Sequence, residues 1–193
     1  MTELDKHDTG RFVISPTQLA GLCVIRKKPL IDHRGEFTRM YCQDEFASIA
    51  LSKTIVQINK SKTLKPGTIR GMHFQSGSYA EDKIVSCIAG KVFDVAVDIR
   101  PESKTFLSWF GIELSAENNI SLLIPAGFAH GFQSLEENSE IIYFVTNQYN
   151  SLAEDGIHPL DTSVNIQWPL NCSDISEKDA ERPFITNQRV GVN

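Results

Sequence analysis

The chain alternates apolar and polar positions over much of its middle. In Lys91–Ile99 the residues Phe93, Val95, Val97 and Ile99 hold the odd positions and Asp94, Ala96 and Asp98 fall between them, the period of a strand with one buried face. Shorter strand-like runs recur at Cys23–Pro29, Glu36–Tyr41, Thr54–Lys60, Thr68–Phe74, Lys83–Ile88, Phe106–Leu114, Ser121–Ile124, Gly131–Leu135 and Ile141–Thr146. Turn chemistry separates them at Asp32-His33-Arg34-Gly35, Lys65-Pro66-Gly67, Ala89-Gly90 and Pro125-Ala126-Gly127. Helical character is confined to Asp44–Ala50 and to Ser176–Asp179, which opens like a capped turn. Parallel strands need helical crossovers, and the spacings leave no room for them. The pattern therefore predicts an all-β sandwich or barrel of the jelly-roll kind with a few short helices. Residues 1–15 read as a polar leader, about 16–180 as the jelly-roll domain and 181–193 as a loosely held tail, all within one domain.

Composition narrows the class. At 193 residues, 41% of them hydrophobic, the chain is long enough to bury a core without disulfide or metal staples. Its formal charge of -5, from 19 Lys and Arg against 24 Asp and Glu, supplies no global field for nucleic acid or an anionic membrane. No apolar stretch approaches the roughly 20 residues of a membrane helix, and the polar start MTELDKHDTG has no signal-peptide core, so a cytoplasmic location is expected. Cys23, Cys42, Cys87 and Cys172 are widely spaced with no C-x-x-C pair, which suggests neither a zinc site nor a disulfide framework.

Polar residues inside apolar strand runs are the informative ones, because each must be solvated, paired or functional. Four stretches stand out: Gly67–Gln75 with Arg70 and His73, Lys83 at the head of a strand, Ile124–Phe132, which delivers His130 out of a tight apolar turn, and Tyr143 inside Ile141–Val145. A strict period of two puts Arg70 and His73 on opposite faces unless Gly71 bulges. Taken singly, each has an ordinary structural role: a hydrogen-bonded core histidine, or a tyrosine that packs its ring. On successive strands of one barrel they converge on the interior, where small barrels hold a ligand.

A longer constellation carries a family resemblance. It comprises Asp32-x-Arg34-Gly35-x-Phe37, Gln57-x-Asn59-x-Ser61, Arg70-Gly71-Met72-His73-Phe74-Gln75, Lys83, Gly90-x-Val92-x-Asp94 through Arg100, Ile124-Pro125-x-Gly127-Phe128-Ala129-His130-Gly131-Phe132, Trp168-Pro169 and Ser176-x-Lys178-Asp179. In this order, from about Val24 to Asp179, the residues resemble the dTDP-4-dehydrorhamnose 3,5-epimerase family. The resemblance implies a cupin-type jelly roll, a homodimer, no metal or other cofactor, and action on a nucleotide-linked 4-keto-6-deoxy sugar in deoxysugar synthesis. It also implies His73 as base, Asp179 as the carboxylate that orients it, Lys83 as the stabiliser of the enolate and Tyr143 as the acid. Arg34, Gln57, Asn59, Arg70, His130, Glu154 and Lys178 fall at positions that contact the substrate, with Tyr149 stacking on the base.

The chain departs from the family pattern where Phe37-Thr38-Arg39 places a cation in the position of a carboxylate. Arg39 is thereby a candidate contact to the base, and a CDP-sugar becomes an alternative to the dTDP-sugar, since cytosine N3 accepts a hydrogen bond where thymine N3–H donates. Ile157-His158-Pro159-Leu160-Asp161 and Ser103-Lys104-Thr105 are further departures, which leave open whether C3, C5 or both are inverted. Two other readings compete: a metal-dependent cupin enzyme, for which the clustered His-x-His is missing around His73, and a non-catalytic jelly roll that binds a sugar nucleotide.

Overall fold

The computed structural model describes residues 6–47 and 53–185. The strands are β1 (His7–Asp8), β2 (Phe12–Pro16), β3 (Cys23–Lys27), β4 (Leu30–Asp32), β5 (Gly35–Phe37), β6 (Gln57–Thr63), β7 (Thr68–Gln75), β8 (Lys83–Ala89), β9 (Lys91–Asp98), β10 (Trp109–Ser115), β11 (Ile120–Ile124), β12 (Phe128–Ser134), β13 (Ser139–Val145), β14 (Glu154–Gly156) and β15 (Asp174–Ile175). Two short α-helices, α1 (Gln43–Ala47) and α2 (Glu177–Ala180), and a single 3-10 turn at Gly77–Tyr79 complete the described elements. One sheet runs β1-β2-β3-β11-β8-β13-β6 and the other β10-β9-β12-β7-β14, with β15 parallel to β7. The remaining strands pair antiparallel, and β4 and β5 form a separate hairpin. This is the predicted jelly roll, with the two sheets face to face.

Three apolar layers follow from the period of two. Val85, Leu122, Ile124 and Ile141 of the first sheet meet Val92, Ala96, Leu114, Phe128 and Phe132 of the second, filling one end of the space between the sheets. Ile14, Ile25, Ile84, Leu123 and Phe144 point the other way and are covered by Phe46 of α1. Met72, Phe74, Val95, Val97 and Ala129 cover the outer face of the second sheet beneath Ile157, Val164 and Trp168. β9 is thus buried on both faces, where one buried face is predicted. Phe93, Val95 and Val97 join the outer layer, while Asp94 and Asp98, both 0% exposed, belong to the alternate set.

Other boundaries move for identifiable reasons. The leader expected over 1–15 becomes an integral strand from Phe12 onward, because Phe12 and Ile14 are buried against Phe46 and Ile25. The run expected at Glu36–Tyr41 is a short exposed hairpin, and Met40, Tyr41 and Cys42 pack instead with Phe46 on the outer face of the first sheet. The helix expected over Asp44–Ala50 is observed as α1; residues 48–50 lie outside the described residues. Phe106–Ser108 forms a turn, with Leu107 at φ 61°, so β10 starts at Trp109. β12 begins at Phe128, so His130 stands in mid-strand and not in a turn. The tail is held at its start, since Arg182 pairs with Glu154 and Asp155 and the Ile185 N–H is bonded by Asp161. The four cysteines are free.

The bulge that Arg70 and His73 require is present. Between the pairs His130↔His73 and Phe132↔Arg70, β12 advances two residues while β7 covers three. Gly71 has φ 135°, and a Cβ there would lie 2.5 Å from Gly131 Cα, so the strands approach too closely for a side chain. Gly71→Ala is therefore expected to destabilise the fold by about 2–3 kcal/mol in urea melts. Unchanged stability would contradict this account of the bulge.

Lys27 is a second point of stress. It is 6% exposed, makes no ion pair among the described residues, and donates from Nζ to Ser121 Oγ at 2.7 Å and to the Ile120 carbonyl at 3.4 Å. Burial pushes it down to about 8. A depressed lysine costs the folded state its full penalty below pH 8, and the penalty is relieved as pH rises from 8 towards the unfolded value. Lys27→Met should gain about 1–3 kcal/mol at pH 7 and a visibly smaller amount at pH 10. A gain that does not vary with pH would contradict the burial of a charged amine.

Candidate active site

Side chains at alternate positions turn inward where the sheets separate. Gln57, Asn59 and Ser61 do so from β6, Lys83 from β8, Tyr143 from β13, Arg70 and His73 from β7 and His130 from β12. They line two adjoining cavities of about 390 and 320 Å³ that share His73, Lys83, Tyr143 and Glu154. The first is walled by Arg70, His130, Lys178 and Asp179, and the second by Gln57, Asn59, Tyr149 and Glu81. Together they make one groove of a size for an extended polar ligand.

His73 and Asp179 meet at its centre. Imidazole Nε2 lies 2.5 Å from Asp179 Oδ1, and the other carboxylate oxygen accepts the Gly71 N–H at 3.3 Å. The parallel pairing of β15 with β7 brings α2 here, and Ser176 caps it, its Oγ accepting the Asp179 N–H. Burial works to raise the Asp179 carboxyl, but the hydrogen bond and charge of His73, with the Gly71 N–H and Ser176, outweigh it and hold it below the usual carboxylate range. Asp179 is thereby an ionised partner for one nitrogen of His73.

The other inward groups each have a partner. Lys83 Nζ lies 3.1 Å from Glu81 Oε1, and His130 Nε2 lies 2.8 Å from Asp94 Oδ1. Tyr143 is half-buried, and burial above all, followed by the charge of Glu81 and opposed by that of Arg70, raises its phenol. A raised phenol keeps its proton. At the outer end, Glu154 accepts from Tyr149 Oη at 2.6 Å and pairs with Lys178 at 2.7 Å and Arg182 at 3.4 Å. The Tyr149 N–H is bonded to Gln57 Oε1, and Gln57 Nε2 donates to Asn59. Arg70 donates to Thr63 Oγ1 and to the Lys62 carbonyl.

The site residues expected from sequence mostly gather here, with two exceptions. Arg34 is paired with Asp32 at 2.6 Å on the exposed β4–β5 hairpin, and Arg39 is paired with Glu45 of α1 at 2.5 Å. Neither lines the groove of its own chain. The proposed use of Arg39 as a contact to cytosine accordingly has no support in this position. Three further residues complete the site. Glu81 stands two positions before Lys83 and so shares its face, a signal readable in the sequence. Asp94 is a charge inside an apolar strand, which also marks it. Arg182 falls in the segment expected as a tail, where no pattern marks it. Among the described residues no group of three or more His, Cys, Asp or Glu is placed to hold a metal ion, and no helix is long and apolar enough to cross a membrane.

Comparison with known proteins places the chain among relatives of the same fold. The dTDP-4-dehydrorhamnose 3,5-epimerase of Salmonella typhimurium is 43% identical over 176 residues, covering 90% of this chain and 96% of the relative. The dTDP-4-dehydrorhamnose 3-epimerase of Streptomyces niveus is 30% identical, covering 91% of this chain and 85% of its own. Among solved structures, dTDP-6-deoxy-D-glucose-3,5-epimerase of Legionella pneumophila in complex with dTDP-4-keto-L-rhamnose is similar with a TM-score of 0.88 and 37% identity, covering 94% of this chain and 98% of that one. Residues 16–187 match the family described as dTDP-4-dehydrorhamnose 3,5-epimerase. With that match across most of its length and a jelly roll of the same shape, the chain belongs to the dTDP-4-dehydrorhamnose 3,5-epimerase family.

Proposed function

We propose that the protein inverts C3 and C5 of a dTDP-linked 4-keto-6-deoxyhexose by proton abstraction through an enolate. The carrying observation is the His73–Asp179 pair, which shares one groove with Lys83 and Tyr143. Both carbons flank the C4 ketone, so loss of either proton gives an enolate whose charge rests on the ketone oxygen. In the gluco chair the protons at C3 and C5 are axial on the same face, so one base serves both. His73 is that base: with Nε2–H directed at Asp179, its lone pair is on Nδ1, and Asp179 stabilises the imidazolium that forms. Lys83 holds the developing oxyanion. Tyr143, kept protonated by its surroundings, returns a proton to the opposite face of each carbon.

Arg70 is the partner of the diphosphate, a planar guanidinium able to bond two oxygens at once, and Tyr149 is the platform for the base. His130, held by Asp94, lies beside the sugar, and Gln57, Asn59, Glu154 and Lys178 contact the nucleotide end. The acidic chain thus carries a local anion site. The exposed hairpin with Arg34, Leu30, Ile31 and Phe37 fits a homodimer in which a second copy receives it. A sugar nucleotide as substrate is consistent with a cytoplasmic enzyme whose product enters deoxysugar polymers such as lipopolysaccharide.

The test is conversion of dTDP-4-keto-6-deoxy-D-glucose followed by proton NMR, with the CDP counterpart in parallel. The expected result with the dTDP substrate is loss of the large axial H2–H3 coupling, which reports C3, together with a shift of the H5 and methyl resonances to those of the C5 epimer. Change at C3 alone, preferential use of the CDP sugar, or no change with either would overturn the proposal in that part.

A further inference from the structure

Glu81 has no role in the mechanism above, yet it occupies a buried position on the groove. It stands one pleat repeat ahead of β8, two residues before Lys83, and its side chain is 9% exposed. Both carboxylate oxygens are used: Oε1 lies 3.1 Å from Lys83 Nζ, and Oε2 accepts from Gln75 Nε2 at 3.2 Å. Gln75 is itself fixed, since the same amide also donates to the Tyr79 and Gln148 carbonyls while Oε1 accepts the Asn150 N–H at 2.6 Å. The neighbouring carboxylates have other partners: Glu154 is met by Lys178 and Arg182, and Asp179 by the His73 imidazole.

A lysine ends in a compact charge on a flexible stem, so a free ammonium would sample many places in the groove. We propose that Glu81 is a positioning residue, anchored by Gln75, that holds the Lys83 ammonium at the point where the enolate oxygen develops. This rests on the epimerase reading. Its energetic sense is preorganisation: the cation is in place before charge appears, and no reorganisation is needed at the moment of reaction. Glu81 also sets the charge around Tyr143, whose surroundings comprise Glu81 and Lys83 at β8, His73 and Arg70 on β7 and Glu154 on β14. Among these, the negative charge of Glu81 raises the phenol and Arg70 lowers it.

The experiment uses the full chain with Glu81→Gln, which keeps the shape and removes the charge, and Glu81→Asp, which keeps the charge on a shorter stem. Turnover of dTDP-4-keto-6-deoxy-D-glucose, affinity for dTDP by calorimetry, and titration of Tyr143 by carbon-13 NMR of ring-labelled tyrosine are measured, with Tyr143→Phe assigning the signal. For Glu81→Gln the expected result is a kcat lower by about 10–100-fold with KM and dTDP affinity within about threefold, and a Tyr143 transition moved to lower pH. Glu81→Asp should return the Tyr143 transition towards that of the native protein. A kcat within about twofold of native with an unmoved Tyr143 transition overturns the proposal, as do equal losses in kcat and dTDP affinity, which mark a merely structural role. If the native protein turns over no sugar nucleotide, the epimerase reading fails by itself, while the Tyr143 titration still reports what Glu81 does to the groove.

Discussion

His73→Ala is expected to lower turnover of the 4-keto sugar nucleotide by roughly 10³–10⁴-fold, the upper range for removal of a positioned general base. Among the described residues no other imidazole stands ready to replace it, because His130, also on the groove, directs Nε2 at Asp94 and lies on the neighbouring strand. The loss should appear in kcat with little change in affinity for dTDP, since the nucleotide is assigned, in the proposed function, to Arg70 and Tyr149 and not to the dyad. Equal deficits at C3 and C5 are expected, because a single base is assigned to both carbons. A variant that keeps inversion at one carbon would require a second base and would break the assignment.

Lys83→Met carries the next largest effect. The methionine keeps most of the stem and removes the charge, so the loss isolates oxyanion stabilisation. A fall of about 10²–10³-fold in kcat is expected, the usual consequence of deleting one preorganised donor to a developing oxyanion. The substitution also leaves Glu81, among the described residues, with only the Gln75 amide and no cation, so part of the fall reflects a buried carboxylate stripped of its ion pair. Lys83→Met combined with Glu81→Gln removes that part, and the double variant should be no worse than Lys83→Met. Activity of Lys83→Met within about threefold of native would show that the enolate charge is held elsewhere.

Much of the site was readable because strands expose alternate residues to one face. Gln57, Asn59 and Ser61, then Lys83 and Val85, then Ile141 and Tyr143, share the inner side of their sheet by the period of two alone. The conflict between Arg70 and His73 was readable too, as a demand for a bulge at Gly71, and the register of β7 against β12 meets it. What the pattern concealed has physical reasons. β9 and β12 are buried on both faces, so their alternation does not distinguish core from groove, and Ala129-His130-Gly131 resembles a turn in its small residues. Phe12 and Ile14 are too few to mark a strand until Phe46 covers them. The partners of Arg34 and Arg39 are set by the hairpin and α1, which no spacing reveals. Roles for the gathered residues came from the family resemblance; geometry alone supplies a histidine, a carboxylate, a lysine and a tyrosine around one polar groove.

The most direct test of the central claim, that this groove removes protons from carbons beside a ketone, is incubation of the native protein with dTDP-4-keto-6-deoxy-D-glucose in deuterated water. Deuterium should enter both C3 and C5, at rates that keep pace with inversion and vanish in His73→Ala. Inversion without deuterium entry, or exchange that survives in His73→Ala, would contradict the account.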